Sequence, residues 1–357
     1  MRRDLLSARA RSFPEYVPGE QPSDRTFIKL NTNENPYGPP PAVRRAIRRA
    51  ASGNLNLYPD PLCLNLRGAI GRRYGLSPEE VFAGNGADEV LRLAMAAYAG
   101  PSGKVVFPAA SYPLYRTLAA LAGCRWREIP VDRNFRVKEE FFVSHRDSFK
   151  ILCNPNSPTG SFIPPAQVEE IVRLNRKVVL IDEAYADFAD DNCLSLVRKY
   201  DNVVVCRTFS KAYGMAGLRV GWCAGRKELL APLFSLKDSY NLDAVAQHAA
   251  CAALEESEYV EKAKRKICAT RRTLAEQLAK AGFSVLPSQA NFLFVRPPLL
   301  PAEHYYRQLK ERRILVRWFN APRLKAYVRI TVGKNSEVDA LLSATEEILR
   351  AARRRQV

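Results

Sequence analysis

Lys211 follows two hydroxyls, Thr208 and Ser210, and stands eight residues before Arg219, with Gly214 and Gly217 between. The apolar run Val203-Val204-Val205-Cys206 just upstream reads as a buried strand of a parallel sheet, which puts the lysine past the strand's C-terminal end. A lysine amine attacks a carbonyl only when partly neutral, so it needs desolvation or a neighbouring cation. The buried strand supplies the first and Arg219 the second. Small hydroxyls and a fixed guanidinium also suit a phosphate held beside the amine. Lysine, phosphate anchors and strand-end position together point to pyridoxal phosphate held as a Schiff base. A solvated lysine on a surface loop is the competing reading of this stretch alone, so the rest of the chain decides.

Four further stretches bear on the same chemistry. Gly84-Asn85-Gly86-Ala87-Asp88-Glu89 lies between a strand and a helix. It fails as a dinucleotide fingerprint because Glu89 replaces the third glycine. Glycine still lets backbone approach a phosphate, and the free N–H groups of Ala87 and Asp88 open the helix. Asp88 and Glu89 read equally as first-turn acids matching the helix dipole. In Ile181-Asp182-Glu183-Ala184-Tyr185 a carboxylate ends a buried strand, which is costly without a positive partner. A protonated pyridine nitrogen is such a partner, and Tyr185 can reach the ring's phenolic oxygen; a helix N-cap is the plainer role for Asp182. The loop Asn154-Pro155-Asn156-Ser157-Pro158-Thr159-Gly160 is fixed by two prolines and carries amides and hydroxyls that suit a ring oxygen, against a plain turn. Tyr112, in Ser111-Tyr112-Pro113-Leu114-Tyr115, can lie flat on an aromatic cofactor or pack in the core.

The elements that must position these groups alternate regularly. Val81–Ala83 leads into a helix over 87–98, Lys104–Phe107 into one over 112–121, and Lys150–Cys153 into one over 165–174. Lys177–Ile181 ends at Asp182, and Val203–Cys206 ends before Lys211. Strand then helix, repeated, predicts an α/β fold with a mainly parallel sheet flanked by helices. Such sheets bind ligands beyond the carboxyl ends of their strands, where the candidate residues fall. Residues 1–40, rich in proline and turn formers, read as an extended arm, and residues 41–240 as the large domain. Residues 241–357 read as a smaller α+β domain: a long helix over 244–281, then strands at 283–287, 291–295, 314–317 and 327–332, then a closing helix over 337–351.

Bulk properties exclude other classes. The 357 residues suit one large and one smaller domain, and no apolar run reaches the length of a bilayer span. The start Met1-Arg2-Arg3-Asp4-Leu5-Leu6 lacks the apolar core of a signal peptide. Eight cysteines without a C-x-x-C pair read as reduced core residues of a cytoplasmic protein. Three histidines without zinc spacing give no reason to expect a metal. The net charge of +18 is spread widely, with no nucleic-acid module and no interleaved aromatics. Neither nucleic acid nor membrane is therefore expected as a partner.

Taken together, Asn33-Glu34-Asn35-Pro36, Gly86-Ala87-Asp88-Glu89, Pro158-Thr159-Gly160, Asp182-Glu183-Ala184-Tyr185, Ser210-Lys211 and Gly217-Leu218-Arg219 resemble the class II, fold-type I aminotransferases. Within them the chain is most similar to the histidinol-phosphate aminotransferases. That finer likeness rests on Tyr16-Val17-Pro18-Gly19, on residues 30–38, and on Val316-Arg317-Trp318-Phe319 through Arg329-Ile330-Thr331-Val332-Gly333. The resemblance implies pyridoxal phosphate and transamination between L-histidinol phosphate and 2-oxoglutarate, a step of histidine biosynthesis. It implies Lys211 as Schiff-base lysine and base, Asp182 on the pyridine nitrogen, Tyr185 on the phenolic oxygen and Tyr112 on the ring. Thr208, Ser210 and Arg219, with backbone of Gly86, Ala87 and Asp88, would hold the phosphate. Tyr58 would reach the phosphate of a partner subunit, implying a homodimer with shared sites. Arg329 and Arg317 would take substrate carboxylate and phosphate, with Asn35 and Tyr37 beside them. Where the family commonly has asparagine before Pro-Thr-Gly this chain has Ser157, so the ring-oxygen contact falls to Asn156, Ser157 or Tyr185 alone. Aromatic or broad-specificity aminotransferases and threonine-phosphate decarboxylases share the lysine and aspartate, and a cofactor-free nucleic-acid binder is the reading from another class.

Overall fold

The structure, a computed structural model, describes residue 5, residues 18–24 and residues 26–354; Tyr16 and Val17 lie outside the described residues. Strand β1 is Ile28–Lys29. Strands β2 (Val81–Asn85), β3 (Lys104–Pro108), β4 (Arg125–Ile129), β5 (Phe149–Cys153), β6 (Val179–Asp182), β7 (Val203–Thr208) and β8 (Val220–Gly225) form one seven-stranded sheet, in the order β2-β8-β7-β6-β5-β3-β4. Neighbours pair parallel from β7 to β4, whereas β8 runs antiparallel to both β2 and β7. The chain is thus α/β with a mainly parallel sheet, as the alternation predicts.

The central strands are buried along their whole length, so alternate residues feed two cores. Val203 and Val205 join a cluster with Val168, Ile171, Ala246 and Ala249 on one face. Val204 and Cys206 join Val90, Leu91, Tyr115 and Leu118 on the other. Strands β4 and β8 are absent from the sequence-based expectation. β4 is an exposed edge carrying Arg125, Trp126 and Arg127, so it lacks an apolar run. β8 contains Gly221 and Gly225 and returns directly from β7 without a crossover helix.

The second sheet contains β9 (Ser284–Val285), β10 (Phe292–Arg296), β12 (Arg317–Trp318) and β13 (Val328–Thr331), ordered β12-β13-β10-β9. The expected single strand over 314–317 is divided. β11 (Ile314–Leu315) pairs in parallel with β1, and β12 turns at Val316 to pair with β13 instead. The expected helix over 244–281 is two helices, Ala244–Glu255 and Ser257–Lys280, separated at Glu256. No glycine or proline marks that break, so helical periodicity runs through it. The helix expected from Tyr112 begins at Leu114, because Pro113 precedes its first turn and leaves Tyr112 in the loop. Among the described residues no helix is long and apolar enough to cross a membrane.

The N-terminal arm is tied to the second sheet and then crosses to the first. Leu30 N–H donates to the Leu315 carbonyl (2.8 Å), and Thr331 N–H donates to the Leu30 carbonyl (2.9 Å). Buried Leu30 anchors that crossing, and residues 31–37 arrive at the carboxyl ends of β6 and β7.

Candidate active site

Residues 209–219 connect β7 to β8, and Phe209 N–H donates to the Val220 carbonyl (3.0 Å) across their base. This return holds Lys211 at one end and Arg219 at the other. Arg219 ends its turn in the left-handed region (φ 51), a conformation costly for a non-glycine residue. Its guanidinium donates to Ser210 Oγ (3.3 Å) and to Asp88 Oδ2 (3.0 Å). Tyr112 donates to the other oxygen of Asp88 (3.2 Å). Gly86 begins the helix Gly86–Tyr98 at φ +79, and a Cβ there would lie 2.5 Å from Arg219 Nη2. Glycine at 86 therefore lets the Arg219 guanidinium sit against the helix N-terminus, and a guanidinium beside free helix N–H groups suits an anion.

Lys211 Nζ donates to the Thr32 carbonyl of the arm (3.2 Å) and lies 5.7 Å from the Tyr185 ring centroid. Burial first, then the Arg329 guanidinium, hold its ammonium down at about 8. Substantially more of the amine is thus neutral near physiological pH than for a solvated lysine, as a carbonyl nucleophile requires.

Asp182 ends β6 and is 3 % exposed. Tyr115 donates to its Oδ2 (2.6 Å) and Ala184 N–H to its Oδ1 (3.2 Å). No helix is capped by this side chain, since the following turn, Ala186–Phe188, starts from Tyr185. Burial pushes the carboxyl up to about 6; the two donors oppose that rise, while Asp88 and Glu183 add to it. Neither lysine nor arginine pairs with Asp182 among the described residues, so a buried carboxylate there awaits a cation.

Tyr185 is buried, and its hydroxyl accepts from Asn33 Nδ2 of the arm (2.9 Å). The Asn156 amide is engaged within its own loop: Oδ1 accepts from Ser111 (2.8 Å), and Nδ2 donates to the Ala110 carbonyl and to Thr159 Oγ1. Ser157 Oγ accepts from Arg329 Nη1 (3.2 Å). Asn35 donates to the Ala212 carbonyl (2.8 Å) beside the lysine and accepts from Tyr37 N–H.

At the far end Arg329 also donates to the Asn31 carbonyl (2.8 Å), and Arg317 donates to the Pro18 carbonyl (3.1 Å). These arginines face each other in register across β12 and β13. Both guanidiniums stack on Phe319, at 5.3 Å and 5.5 Å from its centroid. Like charges directly opposite destabilise a sheet, so the pair favours an anion between or beside them. Tyr58 stands apart from this assembly: it is 79 % exposed and stacks on Tyr240 at 4.2 Å.

Three contributors escaped the sequence reading. Tyr115 sits within a quoted stretch, but its role depends on a contact 67 residues away. Asn33 likewise meets Tyr185 across 152 residues. Behind the site Glu183 accepts from Arg207 Nε (2.9 Å) and Nη2 (2.7 Å), both side chains fully or nearly buried. An arginine inside the apolar run of β7 was the available signal for that pair.

The family described as aminotransferase class I and II matches residues 25–344. The histidinol-phosphate aminotransferase of Microcystis aeruginosa (strain NIES-843 / IAM M-2473) is 42 % identical over 95 % of this chain and 97 % of its own length. That of Acetobacter pasteurianus is 44 % identical over 94 % of this chain and 95 % of its own. The crystal structure of histidinol-phosphate aminotransferase from Sinorhizobium meliloti in complex with pyridoxal-5'-phosphate superposes with a TM-score of 0.88, at 26 % identity, covering 98 % of each chain.

Proposed function

The chain belongs to the class I and II aminotransferases, and on that premise we propose that it moves the amino group of L-histidinol phosphate to 2-oxoglutarate, giving imidazole acetol phosphate and L-glutamate. Pyridoxal phosphate, when bound, supplies an aldehyde that takes up amines covalently and a ring that accepts the electrons left on carbon as a proton departs. The residues fit that group. Asp182 offers a buried carboxylate with no cation bonded among the described residues, and Gly86 lets the Arg219 guanidinium approach the helix N-terminus where a Cβ would lie 2.5 Å from it.

Lys211 is the amine that would hold the cofactor and the base that would take the proton from the substrate α-carbon and return it. Its lowered pKa suits both duties. Asp182 would keep the ring nitrogen protonated, Tyr185 would meet the phenolic oxygen, and Tyr112 would cover the ring. With both Asn156 amide hydrogens engaged in its loop, the Tyr185 hydroxyl and the Ser157 hydroxyl, which only accepts from Arg329, are the donors left for that oxygen. Thr208, Ser210 and Arg219, with the backbone of Gly86, Ala87 and Asp88, would take the cofactor phosphate. Asn35 and Tyr37 shape the arm over the substrate.

The substrate assignment is carried by one observation: Arg317 and Arg329 in register, sharing Phe319. Two guanidiniums at one end of the site bind either the phosphate of histidinol phosphate or a carboxylate of glutamate in a bidentate manner. The exposed apolar residues Leu55, Leu57, Tyr58, Leu62, Leu64 and Tyr240 support a homodimer in which Tyr58 enters the partner's site. All eight cysteines are free thiols, which suits the cytoplasm.

The test is steady-state turnover of the pyridoxal-phosphate-loaded protein with L-histidinol phosphate and 2-oxoglutarate, reading L-glutamate. Turnover that is lost in Lys211→Ala supports the proposal. Glutamate formed from phenylalanine or tyrosine but not from histidinol phosphate would reject the substrate.

A further inference from the structure

Asp182 has two hydrogen-bond donors of very different kinds. Ala184 N–H is backbone and local, whereas the Tyr115 hydroxyl comes from the helix Leu114–Ala122, 67 residues away in sequence, and lies 2.6 Å from Oδ2. Tyr115 is fully buried. Its ring is wedged edge-on between Phe107 (5.5 Å) and Tyr112 (5.6 Å), and its hydroxyl faces the Asp182 carboxylate and the Cys153 thiol, of which the carboxylate is much the stronger acceptor. Burial raises the phenol well above its ordinary range, which keeps it a donor at any working pH.

We propose that Tyr115 is a positioning residue: by donating to Asp182 it fixes the carboxylate's orientation and keeps the shared proton of the Asp182–cofactor pair on the ring nitrogen. This rests on the reading of Asp182 as the ring-nitrogen partner. In a dry site a pyridinium and a carboxylate can relax to a neutral pair by passing the proton to oxygen, because burial penalises both charges. Burial, Asp88 and Glu183 all push Asp182 toward that protonated state. Cys153 and Cys206, also beside it, are themselves raised by burial and add no positive charge. A hydrogen bond to the charged form opposes them. Of the two donors, only Tyr115 contributes a side chain that substitution can remove without disturbing the backbone. The proton then stays on nitrogen, where it is needed to withdraw electrons.

The variant is Tyr115→Phe, which keeps the ring and deletes the hydroxyl. Two readouts distinguish positioning from packing. In the cofactor-free protein, the 13C titration of Asp182 shifts upward by about one pH unit, a tenfold change in proton affinity. In protein loaded with 15N-labelled pyridoxal phosphate, the ring-nitrogen resonance moves from the protonated toward the neutral position, and cofactor affinity falls about tenfold. Replacing Tyr115 by 3-fluorotyrosine, a stronger donor of nearly the same size, moves both signals the opposite way and serves if the phenylalanine variant does not fold. Unchanged Asp182 titration and ring-nitrogen resonance, with only a lower melting temperature, would overturn the proposal and leave Tyr115 as packing. A ring nitrogen that is neutral in the parent protein, or indifferent to Asp182→Asn, would instead remove the assignment of Asp182.

Discussion

Gly221→Ala tests how the proposed phosphate site is built. A Cβ at this position would lie 2.2 Å from Ala87 N, 2.3 Å from Gly86 C and 2.7 Å from Gly86 O. Strand β8 cannot retreat from that clash, because Gly221 pairs with Gly84 on one side and Thr208 on the other. The start of the helix Gly86–Tyr98 must therefore lift by about 1 Å, and overpacking of this kind costs about 1–3 kcal/mol. For a chain of this size that corresponds to a fall in melting temperature of roughly 1–4 °C for the cofactor-free protein. The lifted helix also carries the N–H groups of Ala87 and Asp88 away from the phosphate position proposed above. Losing one hydrogen bond to a charged group, about 1.5–3 kcal/mol, weakens cofactor binding roughly 10- to 100-fold. The assays are thermal unfolding and a visible-absorbance titration with pyridoxal phosphate. Gly217→Ala is the control, since a Cβ there meets nothing within 4 Å. Parent-like melting and affinity in Gly221→Ala would refute the claim that close helix-on-strand approach at this glycine seats the helix N-terminus beside Arg219.

Three other outcomes are expected. Arg207→Met leaves Glu183 buried and uncompensated, costing about 3–5 kcal/mol, and Glu183→Leu in the same chain restores much of it; equal stability of the single and double variants in urea would contradict the buried-pair account. Cofactor-free Asp182→Asn is more stable than the parent above pH 6, by about 3 kcal/mol for a two-unit shift. The sign follows from the raised native pKa: between about 4 and 6 the native state binds the proton more tightly than the unfolded state, so the parent loses stability as pH rises, and the advantage of Asn vanishes near pH 4. A pH-independent difference between the two proteins would count against this. Arg317→Ala raises KM for L-histidinol phosphate about 10- to 100-fold with less effect on L-glutamate, whereas Arg329→Ala impairs both; matched effects of the two variants on both substrates would dissolve the division of labour.

Part of the candidate site was legible because α/β sheets gather ligands at the carboxyl ends of their strands, and Lys211, Asp182, the Gly86 turn, Tyr112 and the Asn154–Gly160 loop each follow an apolar run. Lys211 after Val203–Cys206 and Asp182 after Val178–Ile181 needed no tertiary knowledge beyond that rule. What stayed hidden is contact between distant residues. The Tyr115 hydroxyl on Asp182 and the Asn33 amide on Tyr185 leave no local trace in spacing or composition. The direction of β8 was hidden for another reason: two glycines weaken its strand signal, and the chain returns from β7 through the very loop that carries the lysine. Helical periodicity gave no warning of the break at Glu256, because neither flanking helix loses its apolar spacing there.

The central claim is that this site, loaded with pyridoxal phosphate, takes the amino group from L-histidinol phosphate. A single-turnover titration without 2-oxoglutarate, followed by the visible spectrum, tests it most directly, with L-phenylalanine, L-tyrosine and L-threonine phosphate run in parallel. The account predicts rapid, stoichiometric conversion to the pyridoxamine form by histidinol phosphate, with the aromatic acids far slower and no carbon dioxide from threonine phosphate. Conversion chiefly by phenylalanine or tyrosine, or carbon dioxide release from threonine phosphate, would contradict it.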